Sequence, residues 1–124
     1  MACLLPLLAL SVSGCGNADA FGCTADVRSG IVVEVYDSQT RAPIATGAVG
    51  TLQDGSYTET LMPFGYDIMG NLIGLGGAQE RTGTYTVRIE KAGYAPWEMK
   101  NVRVTKNACH VNTTGLEADL QPVK

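Results

Sequence analysis

The hydrophobic pattern divides the chain into two unlike parts. Residues 3–10, CLLPLLAL, are apolar throughout apart from the break at Pro6, and from Ser11 the sequence turns small and polar. Beyond residue 27 no helical period of any length recurs. Short β-branched runs alternate with polar residues instead, punctuated by Gly, Asp-Gly, Asn and Pro. SGIVVEVYD (29–37) sets Ile31, Val33 and Val35 on one face and Glu34 and Tyr36 on the other. GTYTVRIEKAGY (83–94) is the clearest strand, with Tyr85, Val87 and Ile89 inward, and in APWEMKNVRVTK (95–106) Val102 and Val104 share a side. AVGTLQ (48–53) and YTETLMP (57–63) flank Asp54-Gly55 and predict a hairpin. FGYDIMGNLIGLGG (64–77) holds five glycines and reads as a loop around one short strand near Asn71–Leu75. In ACHVNTTGLEADLQP (108–122) Cys109 and Val111 share odd parity while Leu116, Ala118 and Leu120 share even parity. That predicts a bulge at Thr113-Thr114-Gly115, with Cys109 inward and His110 and Asn112 facing solvent. About seven strands at this spacing predict an all-β sandwich with no internal repeat.

The opening apolar run is too short to cross a bilayer, which takes about 20 residues. It fits the core of an export signal, although no Lys or Arg precedes it. Its exit, Val12-Ser13-Gly14-Cys15, resembles a bacterial lipobox. That resemblance implies diacylglycerol on the Cys15 sulfur, cleavage after Gly14, and acylation of the new amino terminus with a palmitate-type chain. More than one chain is what stable anchoring to a membrane requires. The expected divisions are a signal peptide over 1–14, a lipid-anchored tether over 15–27 and a β-sandwich domain over 28–124. Gly16 follows Cys15 where an inner-membrane lipoprotein of the enterobacterial type would carry Asp, which implies the outer membrane.

Export changes the meaning of the cysteines. Of the four, Cys3 would leave with the signal and Cys15 would carry lipid. Cys23 and Cys109 remain as an even pair in an exported protein, the pattern of a disulfide. Closing so long a loop is worth about 4 kcal/mol in the chain-entropy account. The neighbouring pair Cys109–His110 invites a chemical reading, yet a zinc site wants four ligands with close-spaced pairs, and the chain has one histidine. A cysteine nucleophile needs a base within reach, and adjacent strand residues point to opposite faces. No metal or cofactor is expected.

Twelve acidic residues against nine basic give a net charge of −3 with no basic cluster, which excludes an electrostatic footprint for nucleic acid. Gly74-Leu75-Gly76-Gly77 lacks the third glycine and the following helix of a dinucleotide loop. Asp37-Ser38-Gln39-Thr40 is too short and too weakly acidic for a calcium loop and reads as a turn held by its own side chains. Asn112-Thr113-Thr114 is a formal glycosylation sequon without meaning behind a bacterial lipobox. Tyr94, Trp97 and His110 are candidates for a surface that binds a sugar or peptide. The competing role for the two aromatics is to cover one end of the core.

Two segments carry a family resemblance. GIVVEVYDSQTRAPIATGAV, a strand running through Asp37 into a turn that ends in Pro43-Ile44, resembles the opening of carboxypeptidase regulatory-like domains. ERTGTYTVRIEKAGY (80–94) resembles that family's Gly-x-Tyr-x-Val strand and Gly-Tyr turn. The closing CHV and the strand ending in Leu-x-Pro are similar to small bacterial lipoproteins of this type. The likeness covers residues 28–122, with Arg41-Ala42 standing where the family often has glycine before the proline. It implies a transthyretin-like or Ig-like sandwich that supports or binds rather than catalyses. Two enzyme families share such a sandwich. The hydroxyisourate hydrolases need several histidines and a Tyr-Arg-Gly-Ser ending. The intradiol dioxygenases need two tyrosines and two histidines on iron. One histidine and the ending LQPVK fit neither. The expected function is that of a non-enzymatic envelope module that meets the membrane through Cys15 and binds another envelope protein or a glycan. The alternatives are an accessory subunit of a secretion or surface assembly, or a small enzyme or enzyme accessory domain of unknown reaction whose site gathers residues such as Asp37, Glu80, Arg81 and His110.

Overall fold

The computed structural model describes residues 22–124. The expected signal peptide, Cys15 and the first part of the tether lie outside the described residues. Eight strands follow in order: β1 (Ser29–Asp37), β2 (Val49–Asp54), β3 (Tyr57–Thr60), β4 (Met62–Tyr66), β5 (Leu72–Gln79), β6 (Gly83–Glu90), β7 (Trp97–Val104) and β8 (Thr114–Leu120). They form two four-stranded sheets, β4-β5-β1-β8 and β3-β2-β6-β7. The chain is an all-β sandwich, as the period-2 pattern predicts.

β1 is the spine of the first sheet, paired antiparallel to β5 and parallel to β8, so the first and last strands lie side by side. Its alternation places Ile31, Val33 and Val35 in the core, where they meet Tyr85, Val87 and Ile89 of β6, Val102 and Val104 of β7, and Ala118 and Leu120 of β8. These inward positions match the parity read from the sequence. Asp54-Gly55 makes the expected hairpin: Asp54 pairs with Tyr57 across a tight turn, with Gly55 at φ +62°.

Three expectations fail in one region. The segment 57–63 is not one strand but two, and the glycine-rich stretch 64–77 lies in a hairpin whose second strand takes in the short strand expected near Asn71–Leu75 and runs on to Gln79. The eighth strand arises here. β3 pairs with β2 in one sheet, and β4 pairs with β5 in the other. The chain changes sheets at Leu61, whose amide donates to the Gly50 carbonyl at 2.8 Å. Leu61 is buried between the sheets. A Cβ on Gly50 would fall 2.6 Å from Leu61 Cδ1, and one on Gly77 2.6 Å from Leu61 Cδ2. One leucine thus occupies the space of two absent side chains, one from each sheet. The glycines of β5 serve packing, which a propensity-based reading takes for looseness.

The turn after β1 shows another departure. Arg41 adopts φ +64°, a left-handed position that favours glycine. Its guanidinium forks onto β8, donating to Glu117 Oε2 and Asp119 Oδ1 at 2.6 Å each, and lies over the Tyr36 ring. Arg41 therefore braces the parallel β1–β8 pair.

Backbone closes in on Gly74, where an added Cβ would sit 2.8 Å from the Val33 carbonyl oxygen and 3.2 Å from that of Phe64. Gly115 has open space around it. Gly74→Ala is expected to cost about 1–3 kcal/mol, as overpacking does. Gly115→Ala should stay within about 0.5 kcal/mol of wild type. Urea midpoints measure both, and equal tolerance at the two positions contradicts the packing role of the β5 glycines.

Candidate functional site at the Cys23–Cys109 end

Three stretches far apart in sequence meet where β1 begins: residues 22–28, the β5–β6 turn and the loop between β7 and β8. Cys23 and Cys109 are disulfide-bonded, with Cα atoms 5.2 Å apart and a sequence separation of 86, as the cysteine count predicts. The described part of the expected tether is therefore fastened to the domain.

The loop that carries Cys109 folds around Asn107. Its side-chain oxygen accepts from the amides of Cys109 (2.8 Å) and His110 (2.9 Å), while its own amide donates to the His110 carbonyl at 2.9 Å. This is a side-chain-held turn. The expected strand through Cys109 and bulge at 113–115 are replaced by that turn, and regular pairing begins only at Thr114. Without a strand, the alternation that sent His110 to solvent does not apply. His110 is 7% exposed and Val111 beside it is 3% exposed.

Glu80 receives His110. Its Oε2 accepts from His110 Nδ1 at 2.6 Å and from the Arg28 amide at 3.0 Å, and its Oε1 accepts from the Val111 amide at 3.1 Å. The Glu80 amide donates to the Arg28 carbonyl at 2.9 Å. One carboxylate thus binds all three stretches together. His110, followed by the Val111 and Arg28 amides, holds the Glu80 carboxyl below its ordinary value of 4.5. Glu80 sits at φ +48° and Ala78 at φ +55°, left-handed positions that need outside support. For Ala78 the support is Glu59, whose two oxygens accept its amide at 3.1 Å each while Tyr57 donates to Glu59 at 2.7 Å.

The other ring nitrogen of His110, Nε2, lies 3.1 Å from Thr24 Oγ1 and 3.8 Å from Asp26 Oδ1. Hydroxyl, imidazole and carboxylate therefore stand in the order of a hydrolytic triad. The Thr24 hydroxyl, however, donates to Asp26. Thr24 Oγ1 thus has both the Asp26 carboxylate and the imidazole within reach. The arrangement ties the entry segment, the β5–β6 turn and the last loop together. Among the described residues no three His, Cys, Asp or Glu side chains gather as a metal cluster.

No known protein family matches this chain, and no curated protein matches it either. Its function is argued from the residues themselves.

The remaining candidates lie elsewhere. Asp37 closes the opposite end of β1, roughly 25 Å away at the usual strand rise. Its Oδ1 accepts from the Gln39 (2.7 Å) and Thr40 (2.9 Å) amides, which makes the turn read from sequence, and its Oδ2 accepts from the Tyr94 hydroxyl at 2.7 Å. The Thr40 amide, the Tyr94 hydroxyl and the Gln39 amide keep Asp37 below the usual carboxylate range, and Asp37 in turn raises the Tyr94 phenol. Arg81 neighbours Glu80 in sequence but turns to the second sheet. There it stacks 3.6 Å above the Tyr57 ring and donates to Asp54 (3.1 Å) and the Tyr85 hydroxyl (2.9 Å). Asp37, Glu80, Arg81 and His110 do not converge. Tyr94 and Trp97 are half-buried against the core, and Tyr94 is far from His110, so the three form no common surface.

Sequence reasoning named Cys23, Cys109 and His110 but saw in Glu80 only a member of a candidate catalytic group. Glu80→Gln keeps the shape and removes the charge. Because the folded-state pKa is depressed, the stabilisation is in place above the ordinary value of 4.5 and is lost as pH falls through the lower folded value. Thermal midpoints should therefore favour wild type over Glu80→Gln at pH 7, with the gap closing in acid below 4.5. Equal midpoints at pH 7, or a gap that grows in acid, contradict the role given to Glu80.

Proposed function

We propose that the chain is a lipid-anchored cell-envelope β-sandwich that serves as a non-enzymatic binding or scaffold module. The observation that carries the reading is the Cys23–Cys109 disulfide, which fastens the start of the domain to its last loop. Such bridges persist in oxidising compartments outside the cytosol. It supports the export reading of residues 1–14, and Val12-Ser13-Gly14-Cys15 then gives the exported chain its anchor. The domain belongs with carboxypeptidase regulatory-like, transthyretin-like modules on the strength of the quoted segments. Two sheets with core-facing β1 and β6 agree with that placement.

The non-catalytic reading rests on what the polar side chains do. The most chemical-looking group, Thr24–His110–Glu80, spends its hydrogen bonds on chain segments, and Asp37 spends its own on a turn. The outer membrane is the proposed location, facing the periplasm or the exterior, with an envelope protein or a glycan as partner.

Labelling with radioactive palmitate tests the anchor. Wild-type protein and Cys3→Ala should incorporate label, and Cys15→Ala should not. Label retained in Cys15→Ala, or absent from wild type, refutes lipidation at that residue.

A further inference from the structure

An exposed apolar ridge runs along the β4 edge. Met62, Phe64 and Tyr66 alternate on β4, and Ile68 and Met69 stand at the tip of the β4–β5 hairpin, 102% and 80% exposed. Asp67, the one acid in this hairpin tip, faces into the turn. Its Oδ1 accepts from the Met69 (2.9 Å) and Asn71 (2.8 Å) amides, and its Oδ2 accepts from the Asn71 side chain at 3.0 Å. That holds the tip in shape with Ile68 and Met69 outermost. Across from the ridge, Met62 pairs with Gly76 and Phe64 with Gly74, so the neighbouring strand presents bare backbone beside it. At its other end the ridge enters a cleft of about 310 Å³ lined by Val27, Val32, Phe64 and Thr113.

We propose that this ridge rests on a phospholipid bilayer, so that the domain lies flat on the membrane; the inference builds on the lipid anchor at Cys15. The place where the preceding chain joins supports it. Residues 22–28 lead into β1, and Val27 lines the same cleft as Phe64, so the tether attaches at the near end of the ridge. The eight residues from Cys15 to Cys23 reach at most ~28 Å, which holds the near end of the ridge close to the anchor. The ridge from Met62 to Met69 is aromatic and aliphatic at its exposed positions, with Arg28 the one cation lining the cleft at its near end, a composition that suits the membrane interface. A net charge of −3 offers no attraction to anionic headgroups, so the contact is apolar and is not weakened by added salt. Pairing of β4 with the β4 of a second copy is opposed by Pro63, which has no amide to give to a ladder at that edge.

The test uses the full-length acylated protein reconstituted in phosphatidylcholine–phosphatidylglycerol vesicles. Ile68→Trp adds a reporter at an exposed position, and Trp97, the single native tryptophan, in β7 of the other sheet, is the reference. With lipids brominated in the upper acyl chain, the added emission should fall about twofold while Trp97 emission holds, at low and high salt alike. Added emission that stays at its water-exposed wavelength and escapes quenching overturns the proposal. Emission that shifts with protein concentration but not with bromine also overturns it and assigns the ridge to a second copy. Flotation of an Ile68→Asp, Met69→Asp variant separates the two claims. If that variant still floats while the reporter escapes quenching, the ridge claim alone fails. If that variant no longer floats, the anchor claim fails, and bromine quenching of the reporter still decides the ridge.

Discussion

The carboxylate of Glu80 is the joint on which the end of this sandwich depends. It accepts from Arg28, His110 and Val111, which belong to the entry segment and to the last loop, while its own backbone is held to Arg28. A half-exposed carboxylate with one ionic partner adds little stability. This one differs because its acceptor capacity is filled from three directions around a buried imidazole. The Cys23–Cys109 bond beside it joins two of the same segments covalently. β1 and β8 then begin from a fixed end and run parallel through the core, braced at the far end by Arg41 on Glu117 and Asp119.

The joint also decides how the sole histidine is understood. Its position beside Cys109 suggests chemistry, and its spatial neighbours Thr24 and Glu80 suggest a triad. The Thr24 hydroxyl donates to Asp26, and Glu80 ties the imidazole to the Arg28 and Val111 amides. Polar residues at this end are ordered for connection, and the unspent surface of the molecule is the apolar ridge on β4.

Where alternation governs burial, the sequence was enough to read the fold. β1, β6 and the second half of β7 have inward residues fixed by the pleat, and the Asp-Gly turn sets the β2–β3 register. β5 was legible only as a short strand near Asn71–Leu75, for a physical reason. Its glycines resemble a loop, while their cause is a leucine and two backbone carbonyls from other strands, which no local pattern reveals. The 107–110 turn was missed similarly, since Asn107 overrides alternation with its side chain. At the candidate site, the cysteine pair followed from counting. The pairing of Glu80 with His110, thirty positions apart, left no spacing signal because it depends on two loops meeting in space.

Amide hydrogen exchange on the oxidised wild-type protein at neutral pH tests the joint most directly. The Arg28 and Val111 amides lie outside the named strands, and the Glu80 carboxylate accepts both. The account predicts that both are protected to the same degree as core strand amides and that they open together. Exchange of either at the rate of an unprotected loop amide would contradict it.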